Sequence, residues 1–325
     1  MAFEVMVSAY CLAYNHEKYI RDALEGFVNQ KTNFKYEVIV HDDASTDHTA
    51  EIIAEYAAKY PDIIKPIFEE ENQYSRGTGI VKNIVWPRLQ GKYIAACEGD
   101  DFWCDENKLQ RQVDFLETHA DYLACVHNTE ELDCISGGKR VLYDTKADHD
   151  VTFAEAVEHG GAAFHTSSVL CRREYCFPPE GLSAEHFGDY PRAVYLCLSG
   201  KVHRFKEIMS IYRLFAAGSW TSRNLNTVSQ KKRTRTQLWT TEFTTKVYRY
   251  CQVTGQSLEI VAAAKAVADR DQLLLAVMQR GGGCLLADPA LRHDFMQLNA
   301  EKKQYILREV WDSWLRKTRE KRKKA

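Results

Sequence analysis

The chain has no uninterrupted apolar run approaching the ~20 residues that a membrane-crossing helix needs, so no spanning segment is expected. Its opening residues, MAFEVMVSAY, place no basic segment ahead of an apolar stretch, which argues against a secretory leader. Its ten cysteines lack the close spacing of a metal-binding motif; Cys171 and Cys176 come nearest and have no second pair to join them. In a chain this large they read as reduced thiols filling core positions of a cytoplasmic protein. A net charge of -2 removes any global reason to expect nucleic-acid binding. There is no internal repeat, and the one biased segment is the end, Arg316 to Ala325, with seven bases and one acid.

What is present describes a soluble globular chain: 325 residues, 45% hydrophobic and 27% charged, enough for one large domain with an appendage or for two domains. Up to about Asn128, short apolar runs alternate with helical periodicity. Strands are predicted at Phe3–Ala9, Tyr36–Val40, Ile63–Phe68 and Tyr93–Cys97. Helices are predicted at Tyr19–Gln30, Thr49–Tyr60 (stopped by Pro61), Val81–Leu89 and Lys108–His119. This alternation argues for a mostly parallel sheet with helices on both faces. Beyond it, strands are predicted at Leu123–His127, Thr166–Cys171 and Glu207–Arg213, and a helix at Pro191–Ser199 ended by Gly200. After Ser222 the pattern is helix alone, with long amphipathic stretches at Ser257–Arg280 and Ala300–Arg319 separated by Gly281-Gly282-Gly283.

Two of the apolar runs end in paired acids. Tyr93 to Cys97 leads into Glu98-Gly99-Asp100-Asp101, and Tyr36 to Val40 leads into His41-Asp42-Asp43-Ala44-Ser45-Thr46-Asp47. Acids also start helices, as Asp105 and Glu106 are placed to do, but two strand ends each carrying an Asp pair exceed what capping requires. In open α/β sheets ligands sit beyond the carboxyl ends of the strands, so both pairs should line one crevice. Adjacent carboxylates there suit a hard divalent cation such as Mg²⁺ or Mn²⁺, which takes one or two protein carboxylates and completes its shell from phosphate.

The segment Ser8-Ala9-Tyr10-Cys11-Leu12-Ala13-Tyr14-Asn15, then Asp42 to Asp47, then Glu98-Gly99-Asp100-Asp101 resemble, in order and spacing, the family 2 glycosyltransferases of GT-A fold. The pieces Thr166-Ser167-Ser168-Val169, Gly188-Asp189-Tyr190-Pro191 and Tyr212-Arg213 agree with it, and the resemblance covers roughly residues 3 to 220. It implies an α/β GT-A domain over residues 1–222, with a nucleotide-sugar-binding half (1–128) and an acceptor-binding half (129–222), then a helical extension with a basic tail over 223–325. It further implies a nucleotide-diphosphate sugar donor, UDP by default, and a non-processive enzyme of bacterial surface polysaccharide or lipopolysaccharide synthesis. Ala9, Tyr10 and Tyr14 would wrap the nucleoside, with Tyr10 or Tyr14 stacking on the base or packing in the core, and Asp43 would accept from the base. Asp100 would lie near the ribose and Asp101 would hold Mn²⁺ or Mg²⁺, with Glu98 standing where many members carry the first Asp of the signature. Asp189 matches the catalytic base, with Glu185 as its substitute, and otherwise simply favours a helix amino terminus.

Lys82, with Arg76 and Asn83, occupies a polar stretch suited to donor phosphates or to solvent, and His165-Thr166 could border the acceptor. His16 and His41 read as structural. Members often carry Tyr-Arg-x-His where this chain has Tyr212-Arg213-Leu214-Phe215, so Arg213, Ser219 or Trp220 would have to close over the donor in place of the missing His. The Gln-x-x-Arg-Trp pattern of processive members is absent, which favours single addition. A sugar-phosphate nucleotidyltransferase is a second reading, although the Gly-rich loop it would need after the first strand is not there. A degenerate GT-A fold kept for binding nucleotide sugar or as a scaffold is a third. The acceptor would be a glycan or a lipid-linked sugar; the stripe Ile306, Leu307, Val310, Trp311, Trp314, Leu315 ahead of the basic tail would either dock on the protein or rest on the inner face of the plasma membrane.

Overall fold

The computed structural model describes residues 4–143, 145–179, 182, 188–219 and 230–311. Trp220, Glu185 and residues 312–325, which include the basic tail, lie outside them. The chain divides into two compact units, Met1–Asn226 and Thr227–Ala325.

The first unit is built on one sheet with strand order β3-β2-β1-β4-β9-β6-β10-β5. Its first half is parallel throughout: β1 (Val7–Ala13) lies between β2 (Tyr36–Asp42) and β4 (Tyr93–Ala96), and β3 (Ile64–Phe68) forms the edge beyond β2. These strands read as continuous apolar runs because both faces are covered. Alternate residues Ala9, Cys11, Val38, Val40, Ala95 and Cys97 share a core with Ile20, Leu24 and Phe27 of helix α1 (Ile20–Val28) and Ile53 of α2 (Thr49–Lys59). Leu109, Val113 and Leu116 of α4 (Lys108–Thr118) fill the same core. A short helix, α3 (Gln73–Arg76), follows β3.

The second half of the sheet is mixed. The strand β9 (Leu170–Arg172) runs antiparallel to β4 and to β6 (Tyr122–Asp133), whereas β6 and β10 (Lys201–Leu214) are parallel. Short strands β7 (Lys139–Val141) and β8 (His149–Asp150) pair with β6 and β10. Strand β5 (Phe102–Trp103), immediately after Asp101, adds antiparallel to β10. Helices α5 (Phe153–His159) and α6 (Asp189–Ser199) complete the unit. The capping box of Thr152 and Glu155 starts α5.

Several elements differ in extent from the sequence reading. Strand β1 continues to Ala13, because Cys11, Leu12 and Ala13 pair with Val40, His41 and Asp42. Strands β6 and β10 are longer than their apolar cores, since their polar ends still pair with each other. Thr166–Ser168 is a tight 3₁₀ turn rather than strand. The helix over 81–88 winds as π then 3₁₀ turns, with Pro87 ending its regularity.

The second unit is helical, as its sequence period predicts: Gln230–Val253, Leu258–Arg280 capped by Ser257, and residues 300–311. Between the last two lie short helices at Cys284–Ala287 and Pro289–Gln297 that the glycine run had hidden. Leu273, Leu274, Val277, Cys284, Leu285 and Ile306 form its core. Gly282 is needed there: a Cβ would come within 2.2 Å of Val310 Cγ1. No helix among the described residues is long and apolar enough to cross a membrane.

Candidate active site at the strand ends

The loops after β1 and β2 are laced together by short polar side chains. Asn15, in the left-handed region at φ 57, donates its N–H to Ser45 Oγ at 2.9 Å and accepts the Thr46 N–H at 2.7 Å. Asp42 accepts from Ser45 N at 3.1 Å, and Asp47 accepts the amides of Glu17 and Thr49. Burial alone would raise the Asp47 carboxyl, but the hydrogen bonds from Thr49 and Glu17 prevail and lower it. Asp43 is used differently from its neighbours. Its two oxygens accept the Gln73 and Tyr74 amides at 2.6 and 3.1 Å, tying α3 over the end of β2. A carboxylate has about four acceptor positions, so Asp43 retains capacity for one more donor.

The acidic turn after β4 is pinned against β1. Cys97 N donates to Tyr10 O at 3.0 Å and Gly99 N to Leu12 O at 2.9 Å. The fit requires glycine: a Cβ on Gly99 would lie 2.8 Å from His16 Nδ1 and 3.1 Å from Leu12 O. Asp101 is buried, and its Oδ1 accepts the Arg213 amide at 2.8 Å. This bond extends the pairing of β5 with β10, so strand pairing itself carries Asp101 to the end of β10. The Arg213 guanidinium donates to Asp100 O at 2.9 Å, pairs with Asp22, and covers the Phe102 ring at 4.6 Å. Burial, then the charge of Asp100, holds Asp101 well above the usual carboxylate range. Glu98 is pushed up to about 8 by burial and by the charges of Asp100 and Asp189, with Arg192 opposing.

Asp189 is the exposed first residue of α6. Thr166 Oγ1 donates to its Oδ1. One residue earlier, His165 Nε2 stands 3.7 Å from Asp101 Oδ2, and its ring lies 4.5 Å from that of Tyr212. Burial lowers the His165 pKa, against the charges of Asp189 and Asp100. The turn over 165–168 thus bridges the two carboxylates. Beneath it, Trp103 Nε1 donates to Ser167 O at 3.0 Å, and Gln112 Nε2 to Ser168 O at 2.9 Å. Lys108, fully buried, donates to Gln112 Oε1 at 2.7 Å with its Nζ 4.3 Å over the Trp103 ring.

The structure therefore brings Glu98, Asp100, Asp101, His165, Asp189 and Arg213 into one cluster beyond the strand ends. Tyr14 falls in the turn beyond β1. Ala9 and Tyr10 do not, which corrects their expected place: both lie within β1, Ala9 packed in the core and Tyr10 buried, with its hydroxyl accepting from Arg192 at 2.6 Å. Burial pushes the Tyr10 phenol up to about 12 despite Arg192. Lys82 is exposed on the helix Val81–Val85, without contact to the acidic cluster among the described residues. Phe215, in place of the family His, adopts φ 61, a conformation uncommon for a bulky side chain. Arg192, Trp103 and Lys108 have no site role in the sequence reading, and Thr166 has one only beside His165, at the border of the acceptor.

The carboxylates suit a hard cation: burial and mutual repulsion oppose the charged forms of Glu98 and Asp101, a cost that a divalent cation among them would relieve, and their donor atoms are oxygen. Among the described residues no three acidic, His or Cys side chains converge into a complete metal cage. Phosphate oxygens would have to supply the rest.

Comparison with known proteins agrees with this architecture. The profile of glycosyl transferase family 2 matches residues 8–164. An uncharacterised protein of Mycobacterium tuberculosis is 34% identical over 230 residues, 66% of this chain and 61% of that one, so the chain spans about three-fifths of that relative. The Escherichia coli enzyme WfaP, named as a UDP-Glc:α-D-GlcNAc-diphosphoundecaprenol β-1,3-glucosyltransferase, is 30% identical over 133 residues, 41% of this chain and 50% of its own. Among solved structures, S. aureus TarS 1-349 with UDP-GlcNAc superposes with a TM-score of 0.58 at 18% identity, covering 95% of this chain and 80% of that one, a likeness of fold. The matched profile, over the stretch that carries the ordered strand-end motifs, places residues 8–164 in glycosyl transferase family 2, and the solved structures agree in fold.

Proposed function

We propose that this chain is an inverting glycosyltransferase that moves a sugar from a nucleotide-diphosphate donor, UDP-linked, to a hydroxyl of a glycan or lipid-linked acceptor in bacterial surface-glycan synthesis. The observation that carries the reading is the bridge of Asp101 and Asp189 by one turn, His165–Thr166, at the mouth of a family 2 fold. That spacing suits a donor whose diphosphate lies at Asp100 and Asp101 and whose anomeric carbon faces Asp189. The UDP and lipid-linked terms are supported by what TarS binds and by the WfaP name.

Inversion needs the acceptor oxygen to attack the anomeric carbon opposite the leaving group. Asp189, exposed at the amino terminus of α6, can take the acceptor proton as that bond forms and the bond to the diphosphate breaks. Asp101, with Asp100 and Glu98 beside it, would hold Mn²⁺ or Mg²⁺. When bound, such a cation neutralises charge on the departing diphosphate. Asp43 would receive a donor group of the base beside the α3 amides, and Tyr14 would face the nucleoside. We assign the domain boundaries of the sequence reading to this scheme: residues 1–222 catalytic, 223–325 accessory, with action at the cytoplasmic face of the membrane.

The test is a thermal-shift panel of nucleotide sugars with and without Mn²⁺. A ligand at 100 times its Kd stabilises the native state by about 2.7 kcal/mol, so a UDP-sugar should raise the melting temperature more with Mn²⁺ than without. No response to any nucleotide sugar would remove the reading.

A further inference from the structure

We propose that Thr166 is a positioning residue for the base: its hydroxyl holds one oxygen of Asp189 and leaves the other to receive the acceptor proton. The inference rests on the base assignment above. Thr166 Oγ1 donates to Asp189 Oδ1, and Oδ2 has no hydrogen-bond partner among the described residues. The acceptor hydroxyl would release its proton to Oδ2 while its oxygen bonds to the anomeric carbon and the diphosphate leaves with the electron pair.

An exposed carboxylate on the first turn of a helix would otherwise rotate among staggered positions. Backbone also packs close against the start of α6. A Cβ on Gly161 would lie 3.2 Å from Asp189 Cβ, and one on Gly160 would lie 3.0 Å from the Tyr190 ring. The Gly160-Gly161 pair lets the chain pass close against the start of α6.

Thr166 can serve as a fixed point because its own turn is anchored on three sides. Ser167 O accepts from Trp103, Ser168 O accepts from Gln112, and Ser167 Oγ donates to Ser210 Oγ of β10 at 2.8 Å. Ser168 Oγ closes the turn on His165 O at 2.6 Å. The hydroxyl of Thr166 is the one side-chain donor of this turn directed at α6 rather than into the sheet. Misplacing a reacting group by about 1 Å can cost on the order of 10²-fold in rate, so the bond has a measurable consequence.

The experiment compares Thr166→Val, Thr166→Ser and Asp189→Asn with the wild-type chain. UDP release from UDP-GlcNAc, UDP-glucose and UDP-galactose in the presence of Mn²⁺ gives kcat and KM, and calorimetry gives the affinity for UDP. Thr166→Val should lower kcat about 10- to 100-fold with KM and UDP affinity within about twofold of wild type, and Thr166→Ser should restore kcat to within about threefold. Val keeps the shape of Thr, so the melting temperature serves as the folding control. The inference is overturned if Asp189→Asn loses turnover while Thr166→Val retains it. It is equally overturned if Thr166→Val loses melting temperature, UDP affinity and turnover together and Thr166→Ser does not restore them. Wild-type turnover in Asp189→Asn would instead remove the base assignment, and the inference with it.

Discussion

Lys108 is an ammonium with no access to water: fully buried, one hydrogen bond to Gln112, and the Trp103 ring at 4.3 Å. Burial lowers its pKa from 10.5 to about 7. An unfolded lysine keeps its proton up to about 10.4, so above pH 7 the unfolded chain binds more protons than the folded one, and stability rises with pH until both are neutral. Below pH 7 the cost of burying the charge is present in full. The slope is about 1.4 kcal/mol per pH unit for one proton, so raising pH from 7 to 9 should add on the order of 2 kcal/mol through this residue. Lys108→Met keeps the length of the side chain and removes the titration. It also takes a donor from Gln112 Oε1, which shifts the stability of the variant by the same amount at every pH. The assay is urea unfolding of both chains at pH 7, 8 and 9, following the difference between them. The wild type should gain on the variant by about 2 kcal/mol over that range. A difference that stays constant to within about 0.5 kcal/mol would refute the argument, and with it the claim that the 165–168 turn stands on a buried, titrating amine.

Further outcomes follow from the same geometry. Asp101→Asn removes the carboxylate proposed to hold the cation, so UDP affinity should lose its dependence on Mn²⁺ in calorimetry while Asp189→Asn keeps it; equal Mn²⁺ dependence in wild type and Asp101→Asn would count against the assignment. Gly91→Ala should destabilise the first unit by at least about 2 kcal/mol in urea unfolding, at the upper end of overpacking costs, because its Cβ would lie 2.2 Å from Ser8 N and 2.7 Å from Val7 C. Stability within about 0.5 kcal/mol of wild type would show that β1 yields more easily than its pairing suggests.

The sequence made the parallel half of the sheet legible because those strands are buried on both faces and so write continuous apolar runs, each ended by a turn. Position beyond the strand ends then followed for Asp100 and Asp101. The mixed half was less legible. Strands β6 and β10 run well past their apolar residues, since Glu130, Glu131, Tyr212 and Arg213 still pair across them, and pairing leaves no hydrophobic signature. The two-residue strand β5 is too short for any periodicity, yet it carries Asp101 to Arg213. Tyr10 was open between stacking and core packing for a related reason: an aromatic near a predicted strand end suits either, and three further paired residues put it inside β1. The link from Thr166 to Asp189 spans residues 23 apart and depends on a turn whose anchors, Trp103 and Gln112, come from elsewhere in the chain. No local pattern records such a contact.

The central claim is tested most directly by a crystal structure of this chain with a UDP-sugar and Mn²⁺. The account predicts the metal bound by the Asp101 carboxylate and by the diphosphate, with the anomeric carbon presenting Asp189 the face opposite the leaving oxygen. A nucleotide seated away from Asp101, or an anomeric carbon with Asp189 on the leaving-group side, would contradict it.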